Sequence, residues 1–316
     1  MTNTNIRERR ARRKATVKSN DDLYESLDVD PTLKIEDVEL VLPDVGIEEK
    51  ITRERKRRTR SRPLAMTDYD YQIMAVEYSK ENVPQQLGNY RNSMDFLGHS
   101  NLISGDKIID RLKKVIYDYP NVDLSSFLNR ENAQLYSWII QHMSYSMGEK
   151  YLGSLYVLGG GAGILSALLL DSDLRFENIR SFDINGSCQF LADELMSDEL
   201  LMDWRFKATT VDMFDIDYAR HMFSCRLQDG RMSSPFRETP GTIINTNISY
   251  LKNHTDWYNM IPDLRRVVIV GETGIDVPYP FSSSQSFNKR FPMSFELYTG
   301  VLNVGEKQFF MKIGHK

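Results

Sequence analysis

The stretch Tyr156-Val157-Leu158-Gly159-Gly160-Gly161-Ala162-Gly163-Ile164-Leu165 constrains this chain more than any other. An apolar run breaks into four glycines within five positions and resumes through Ser166 to Leu170. This is the pattern of a buried parallel strand turning sharply into a helix. Glycine serves such a turn because the backbone takes φ > 0 and a ligand can approach without meeting a Cβ. A tight connection alone needs fewer glycines, so the run predicts a nucleotide-like cofactor, or descent from a protein that bound one.

Some twenty residues on, Ile179-Arg180-Ser181-Phe182-Asp183 reads as a second short strand ending in a carboxylate. An acid at that place can accept hydrogen bonds from both hydroxyls of a ribose. The geometry suits NAD and S-adenosylmethionine equally. Asp183 also has a plainer reading, as the N-cap of the next helix.

The length of 316 residues suits one sizeable domain with appendages. Cys188 and Cys225 lie far apart, with no CxxC and no histidine at ligand spacing, so both are expected reduced and structural, and no metal site is expected. The charged N-terminus lacks the apolar core of a secretory signal. The longest apolar run falls short of the roughly 20 residues that span a bilayer. A soluble, intracellular protein without membrane contact is the expectation.

Charge is unevenly spread along residues 1–65. A basic block (Arg7, Arg9, Arg10, Arg12, Arg13, Lys14) precedes an acidic one from Asp21 to Glu49. A second basic block follows (Lys50, Arg53, Arg55, Lys56, Arg57, Arg58, Arg60, Arg62), and Tyr24 is the only aromatic residue. Such a segment buries too little apolar surface to offset its ordering entropy, and a largely disordered arm is expected. Arg9, Arg10, Arg12, Arg13, Arg55, Lys56, Arg57, Arg58, Arg60 and Arg62 are candidate contacts for nucleic-acid phosphates. They serve equally well as a solvated tail or as a hold on an acidic partner.

Residues 66–147 turn helical in period. Ile108, Ile109, Leu112, Val115 and Ile116 share one face, and a second helix starts near Ser125 or Asn129 and runs through Met143. Residues 148–316 form the α/β domain, with strands expected at about 154–159, 179–183, 206–211, 241–245 and 266–271 and helices between them. Ser294–Val301 and Lys307–Ile313 read as a terminal hairpin around Asn303-Val304-Gly305. An antiparallel strand inserted into an otherwise parallel seven-stranded sheet is how class I methyltransferases end, whereas dinucleotide-binding folds end on another parallel strand. The hairpin therefore favours S-adenosylmethionine over NAD.

On these residues the chain resembles class I S-adenosylmethionine-dependent methyltransferase-like proteins encoded by tailed bacteriophages. The matching stretches are Tyr156–Gly163, Ile179–Asn185, Asp203–Asp212, Ile244–Asn247 with Asp256-Trp257-Tyr258 and Ile261-Pro262, and Phe291–Gly314, within about residues 125 to 316. The resemblance implies a Rossmann-like class I methyltransferase sheet with a C-terminal antiparallel hairpin, preceded by the helical segment and the charged arm. It places Gly159, Gly160, Gly161 and Gly163 around the methionine part of the cofactor, Asp183 on the ribose and Ile184 against the adenine. Asp212 would accept from the adenine amino group, with Met213 donating its backbone amide. Asn245 and Asn247 would stand where the methyl group meets its acceptor. It also implies the cytoplasm of an infected cell, or a virion, with the basic arm on genome or capsid protein.

The chain departs from that pattern in four places. Gly159 stands where an acid is usual, Gly161 and Ala162 replace bulkier residues, and Asn185-Gly186 follows Asp183 in place of a proline. Asn247-Ile248-Ser249-Tyr250 stands where a Cys-Glu-His-like cluster would fall. Plainer readings accompany several sites: Asp212 crowds one turn with Asp215 and Asp217, and Asn245 can bond its own backbone. Trp257 and Tyr258 can be core, and a lone His254 does not make a general base. The Asn-Thr-Asn-Ile stretch lacks the paired prolines and aromatic of a DNA amino-methyltransferase. Two classes of function result: a methyltransferase of unidentified acceptor, and a non-catalytic phage protein that keeps the fold as a scaffold.

Overall fold

A computed structural model describes residues 82–100, 106–148, 150–201, 204–224 and 234–316. The charged arm, with all ten of its candidate contacts, and Cys225 lie outside the described residues. The chain order is α1 (Asn82–His99), α2 (Asp106–Asp118), α3 (Arg130–Met147), β1 (Ser154–Leu158), α4 (Ile164–Leu170), β2 (Ile179–Asp183), α5 (Gly186–Leu195), α6 (Ser197–Leu201) and β3 (Phe206–Thr210). There follow β4 (His221–Phe223), β5 (Phe236–Glu238), β6 (Pro240–Asn245), α7 (His254–Met260), β7 (Arg266–Glu272), α8 (Ser284–Arg290), β8 (Phe295–Val304) and β9 (Lys307–His315).

Seven strands form one sheet in the order β3-β2-β1-β6-β7-β9-β8. The first five run parallel, and β9 is antiparallel to both its neighbours. This is the Rossmann-like class I methyltransferase arrangement that the terminal hairpin led us to expect. The hairpin strands run further than the sequence indicates: Asn303 and Val304 belong to β8, and the turn is Gly305-Glu306.

Side-chain alternation sorts the strands between two cores. Leu155, Val157, Ile244, Val268 and Val270 face a cluster built with Phe96, Ile108, Leu112, Ile116, Leu128 and Ile139 of the helical segment. Tyr156, Leu158, Ile243, Val267 and Ile269 face the other, with Trp257, Tyr258, Phe281, Phe287 and Phe291. The helical segment thus shares its core with the sheet. Helix α3 starts at the second of the two expected places, because the Asn129 side chain accepts from the Asn132 amide (2.8 Å). Among the described residues no helix is long and apolar enough to cross a membrane.

One expectation fails. No α-helix joins β3 to β6 among the described residues; a short 3₁₀ turn (Met213–Asp215) and the β4–β5 ribbon stand there instead. The reason is local. Asp212 accepts from the Phe214 amide (2.9 Å) and Asp217 from those of Ala219 and Arg220 (2.9 and 3.0 Å), so the aspartates bond their own turns and compete with a helix. This irregular crossover is tied down from within. Trp257 Nε1 donates to the Tyr218 hydroxyl (2.8 Å), which donates to the Met213 carbonyl (2.8 Å), all among buried residues.

Tyr218→Phe deletes both links and orphans a buried indole N–H and a carbonyl. We expect a loss of about 1–3 kcal/mol, read as a lower urea midpoint with an unchanged slope.

Candidate functional site

The parallel strands end together at one edge of the sheet, and β1 lies where their order reverses, with β2 and β3 on one side and β6 and β7 on the other. Ligand crevices form at such switch points. Leu158 is in register with Phe182 on β2 and with Asn245 on β6, so Asp183, the last residue of β2, stands beside Gly159 and Thr246, the first residues past β1 and β6.

The glycine loop and Asp183 are joined directly. Asp183 Oδ2 accepts from the Gly161 amide (3.0 Å) and Oδ1 from the Asn185 amide (3.0 Å). A carboxylate offers about four lone-pair sites, so each oxygen retains capacity for one more donor. The N-cap of α5 is Asn185, whose Oδ1 accepts from the Ser187 amide (3.0 Å); the capping reading of Asp183 is thereby replaced. Burial, and after it the charge of Asp183, push the Cys188 thiol up to about 12, so Cys188 is a neutral packing residue.

Two glycines of the loop are required by their neighbours. Gly159 has φ 65°, and a Cβ there would stand 2.7 Å from Asn247 Cβ. Gly161 has φ 53°, and a Cβ there would stand 2.9 Å from the Phe127 ring. Gly160 donates its amide to Phe182 O (3.1 Å), and Gly163 caps α4 after bonding Gly160 O (3.0 Å). Ile184, beside Asp183, is 72% exposed.

At the end of β3, Asp212 is exposed and caps the 3₁₀ turn, while Met213 is buried. Asn245 has no exposed surface. Its Oδ1 accepts from the Asn247 amide (2.9 Å) and its Nδ2 faces Met213 Sδ (3.5 Å). Its geometry is that of an asparagine serving its own turn. Asn247 is half-buried against Gly159. The structure therefore gathers Gly159–Gly163, Asp183 and Asn247 at one mouth, with Asp212 and Met213 on the flank beyond β2.

Trp257 and Tyr258 are core residues, at 0% and 2% exposure. His254 is also withdrawn: Nδ1 donates to Leu251 O (3.2 Å), Nε2 accepts from Arg290, and the ring packs beside Phe281 and Phe291. Among the described residues no three His, Cys, Asp or Glu side chains gather as a metal would need.

Phe127 was not legible as a site residue. It lies ahead of the α3 cap in a stretch with no motif, and only the fold lays its ring over Gly161. Gln189 was missed likewise. Its Oε1 accepts from the Thr210 amide (2.7 Å) and hydroxyl (2.6 Å), fixing the end of β3 against α5.

No protein-family model matches the chain, and no curated protein is similar to it. Among solved structures it is similar to magnesium protoporphyrin IX methyltransferase (ChlM) of Synechocystis PCC 6803, at 12% identity over 68% of this chain and 100% of that one, with a TM-score of 0.42. It is similar to MccD protein at 11% identity over 57% and 96%, with a TM-score of 0.42. The geranyl diphosphate C-methyltransferase of Streptomyces coelicolor A3(2) has 10% identity over 62% and 85%, again with a TM-score of 0.42. At these values the fold rests on the strand order and the antiparallel β9 themselves.

Burial lowers the pKa of His254 from 6.5, with the Leu251 carbonyl opposing and Arg290 adding to the shift. We expect its ring to titrate below 6.5 in an NMR titration. Above 6.5 both folded and unfolded forms are neutral; as pH falls below it the unfolded chain takes the proton first, so this residue's contribution to stability declines.

Proposed function

We propose that the chain binds S-adenosylmethionine at the glycine loop and transfers its methyl group to an acceptor at the mouth of β6. The observation that carries this reading is the Asp183 carboxylate, joined to the Gly161 amide at the switch point of the sheet. The residues fit such a cofactor. Asp183 retains acceptor capacity on both oxygens for a ribose diol, and Ile184 offers an exposed apolar face for a base. Asp212 is exposed at the place where an adenine amino group would donate.

The bound cofactor supplies a methyl group already activated for transfer. What this chain does is placement: it holds the ribose through Asp183, offers a loop of glycine backbone to the cofactor, and presents Asn247 at the acceptor's entrance. Neither His254 nor Asn245 takes part, since both are buried and committed to internal bonds. The second reading, drawn from the sequence resemblance and the charged arm alone, is a phage particle protein that keeps the fold without catalysis and uses its arginine-rich arm on genome or capsid. Stoichiometric presence in purified particles supports that reading, and absence from them removes it.

Calorimetric titration with S-adenosylhomocysteine is expected to show saturable binding, weakened about ten- to a hundredfold in Asp183→Ala through loss of charge-assisted hydrogen bonds. No heat at about millimolar ligand, with Asp183→Ala indistinguishable from the parent, would remove the cofactor from this site.

A further inference from the structure

A polar cleft of about 420 Å³ opens at the other end of the sheet, where the parallel strands begin. Its wall brings together Ser154, the first residue of β1, Glu177 and Asn178 ahead of β2, Trp204 ahead of β3, and Glu238 at the end of β5. A five-residue strand separates it from the glycine loop, about 15 Å at 3.3 Å per residue.

Its hydrogen bonding is lopsided. Arg180 Nε and Nη2 both donate to Glu238 Oε2 (3.1 and 2.8 Å), and Asn178 Nδ2 approaches the same oxygen (3.5 Å). Arg180 Nη1 is spent on the Trp204 carbonyl (2.6 Å). Glu238 Oε1 and Asn178 Oδ1 are left buried with no partner, on side chains that are 11% exposed and on a residue that is 9% exposed, respectively. Both missing partners are donors. The Glu177 carboxylate at the rim adds further acceptors and negative charge. Trp204 and Phe236 supply flat walls, with ring centroids 6.0 Å apart.

We infer that this cleft is a second binding site, for a guanidinium group carried by a small molecule or by an arginine side chain. A guanidinium is flat, cationic and donor-only. It can give N–H groups to Glu238 Oε1 and Asn178 Oδ1 at once, stack on Trp204, and offset the Glu177 charge. An ammonium lacks the plane, and an anion would face the Glu177 and Glu238 carboxylates. A single ordered water would also donate to the two oxygens, but its share of liquid volume is about 30 Å³, far less than the cleft. Burial raises the Glu238 pKa, with Arg180 and the nearby Ser154 hydroxyl opposing it.

Trp204 is itself the reporter. With full-length protein, agmatine is expected to change tryptophan emission saturably, and the change is lost in Trp204→Phe. Asn178→Leu and Glu177→Gln should each weaken agmatine about tenfold, whereas Arg237→Ala, removing a like charge from the rim, should tighten it. A Gly-Arg-Gly peptide with blocked ends, run beside agmatine, tells a side-chain source from a small-molecule source. Thermal melts separate loss of binding from loss of fold in each variant. The inference is overturned if putrescine binds as well as agmatine, if Asn178→Leu binds unchanged while folded, or if no saturable change appears up to about 10 mM agmatine, in which case water fills the cleft.

Discussion

The carboxylate of Asp183 holds three pieces of the chain at once. It ends β2, it receives the amide of Gly161 from the turn after β1, and it receives the amide of Asn185, the cap of α5. A glycine-rich turn has large backbone freedom to lose on folding, and a charge-assisted bond to its middle residue offsets part of that loss. The loop's shape then dictates its neighbours: Asn247 can lie against Gly159, and Phe127 over Gly161, because neither glycine carries a Cβ. The helical segment therefore meets the α/β domain at the glycine loop as well as in the shared core.

A different device fixes the opposite end of the sheet. Arg180 and Glu238 form a buried pair at 2.8 Å, with the guanidinium 5.6 Å from the Phe223 ring. Such pairs add little net stability, because desolvation consumes most of the Coulomb attraction. Their value here is positional. Among the described residues the β4–β5 ribbon forms a sheet of its own, and the Arg180 bond is a directional attachment from the ribbon to β2. Three donors converging on one oxygen make that attachment specific, and leave the other oxygen for something else.

What could be read in advance was whatever a short stretch of chain decides by itself. The glycine run, the strand ending at Asp183 and the terminal hairpin each carry their conformation in local residue types; the first two stand where the sequence indicated, and the hairpin does so with longer strands and a tighter turn. The β3-to-β6 crossover did not follow the alternation of strands and helices, since it turns on whether Asp212 and Asp217 bond their own backbone. At Asn245 two uses share one residue type, and the sequence held no sign that the side chain is buried with its Oδ1 on the Asn247 amide. Phe127 and the polar cleft had no signal at all. The cleft draws on residues 154, 177, 178, 180, 204 and 236–239, which only the register of the sheet brings together.

The two ends of the sheet differ in how complete they are. At the glycine loop the strand ends, the amides of Gly160, Gly161 and Gly163 and the side chains of Asn185 and Asn245 all have internal partners, so the loop holds its form before any ligand arrives. The cofactor we propose there would use the spare lone pairs of Asp183 and leave these bonds in place. At the cleft, two acceptors already withdrawn from solvent have no donor, and their desolvation cost stands uncompensated. A ligand there removes a penalty that the fold already carries, so its affinity depends on donor geometry more than on area. β2 links the two regions, with Arg180 at one end and Asp183 at the other, only three residues apart. A strand buried on both faces and paired on both edges holds positions rigidly, so we regard the two ends as sharing a scaffold rather than a switch.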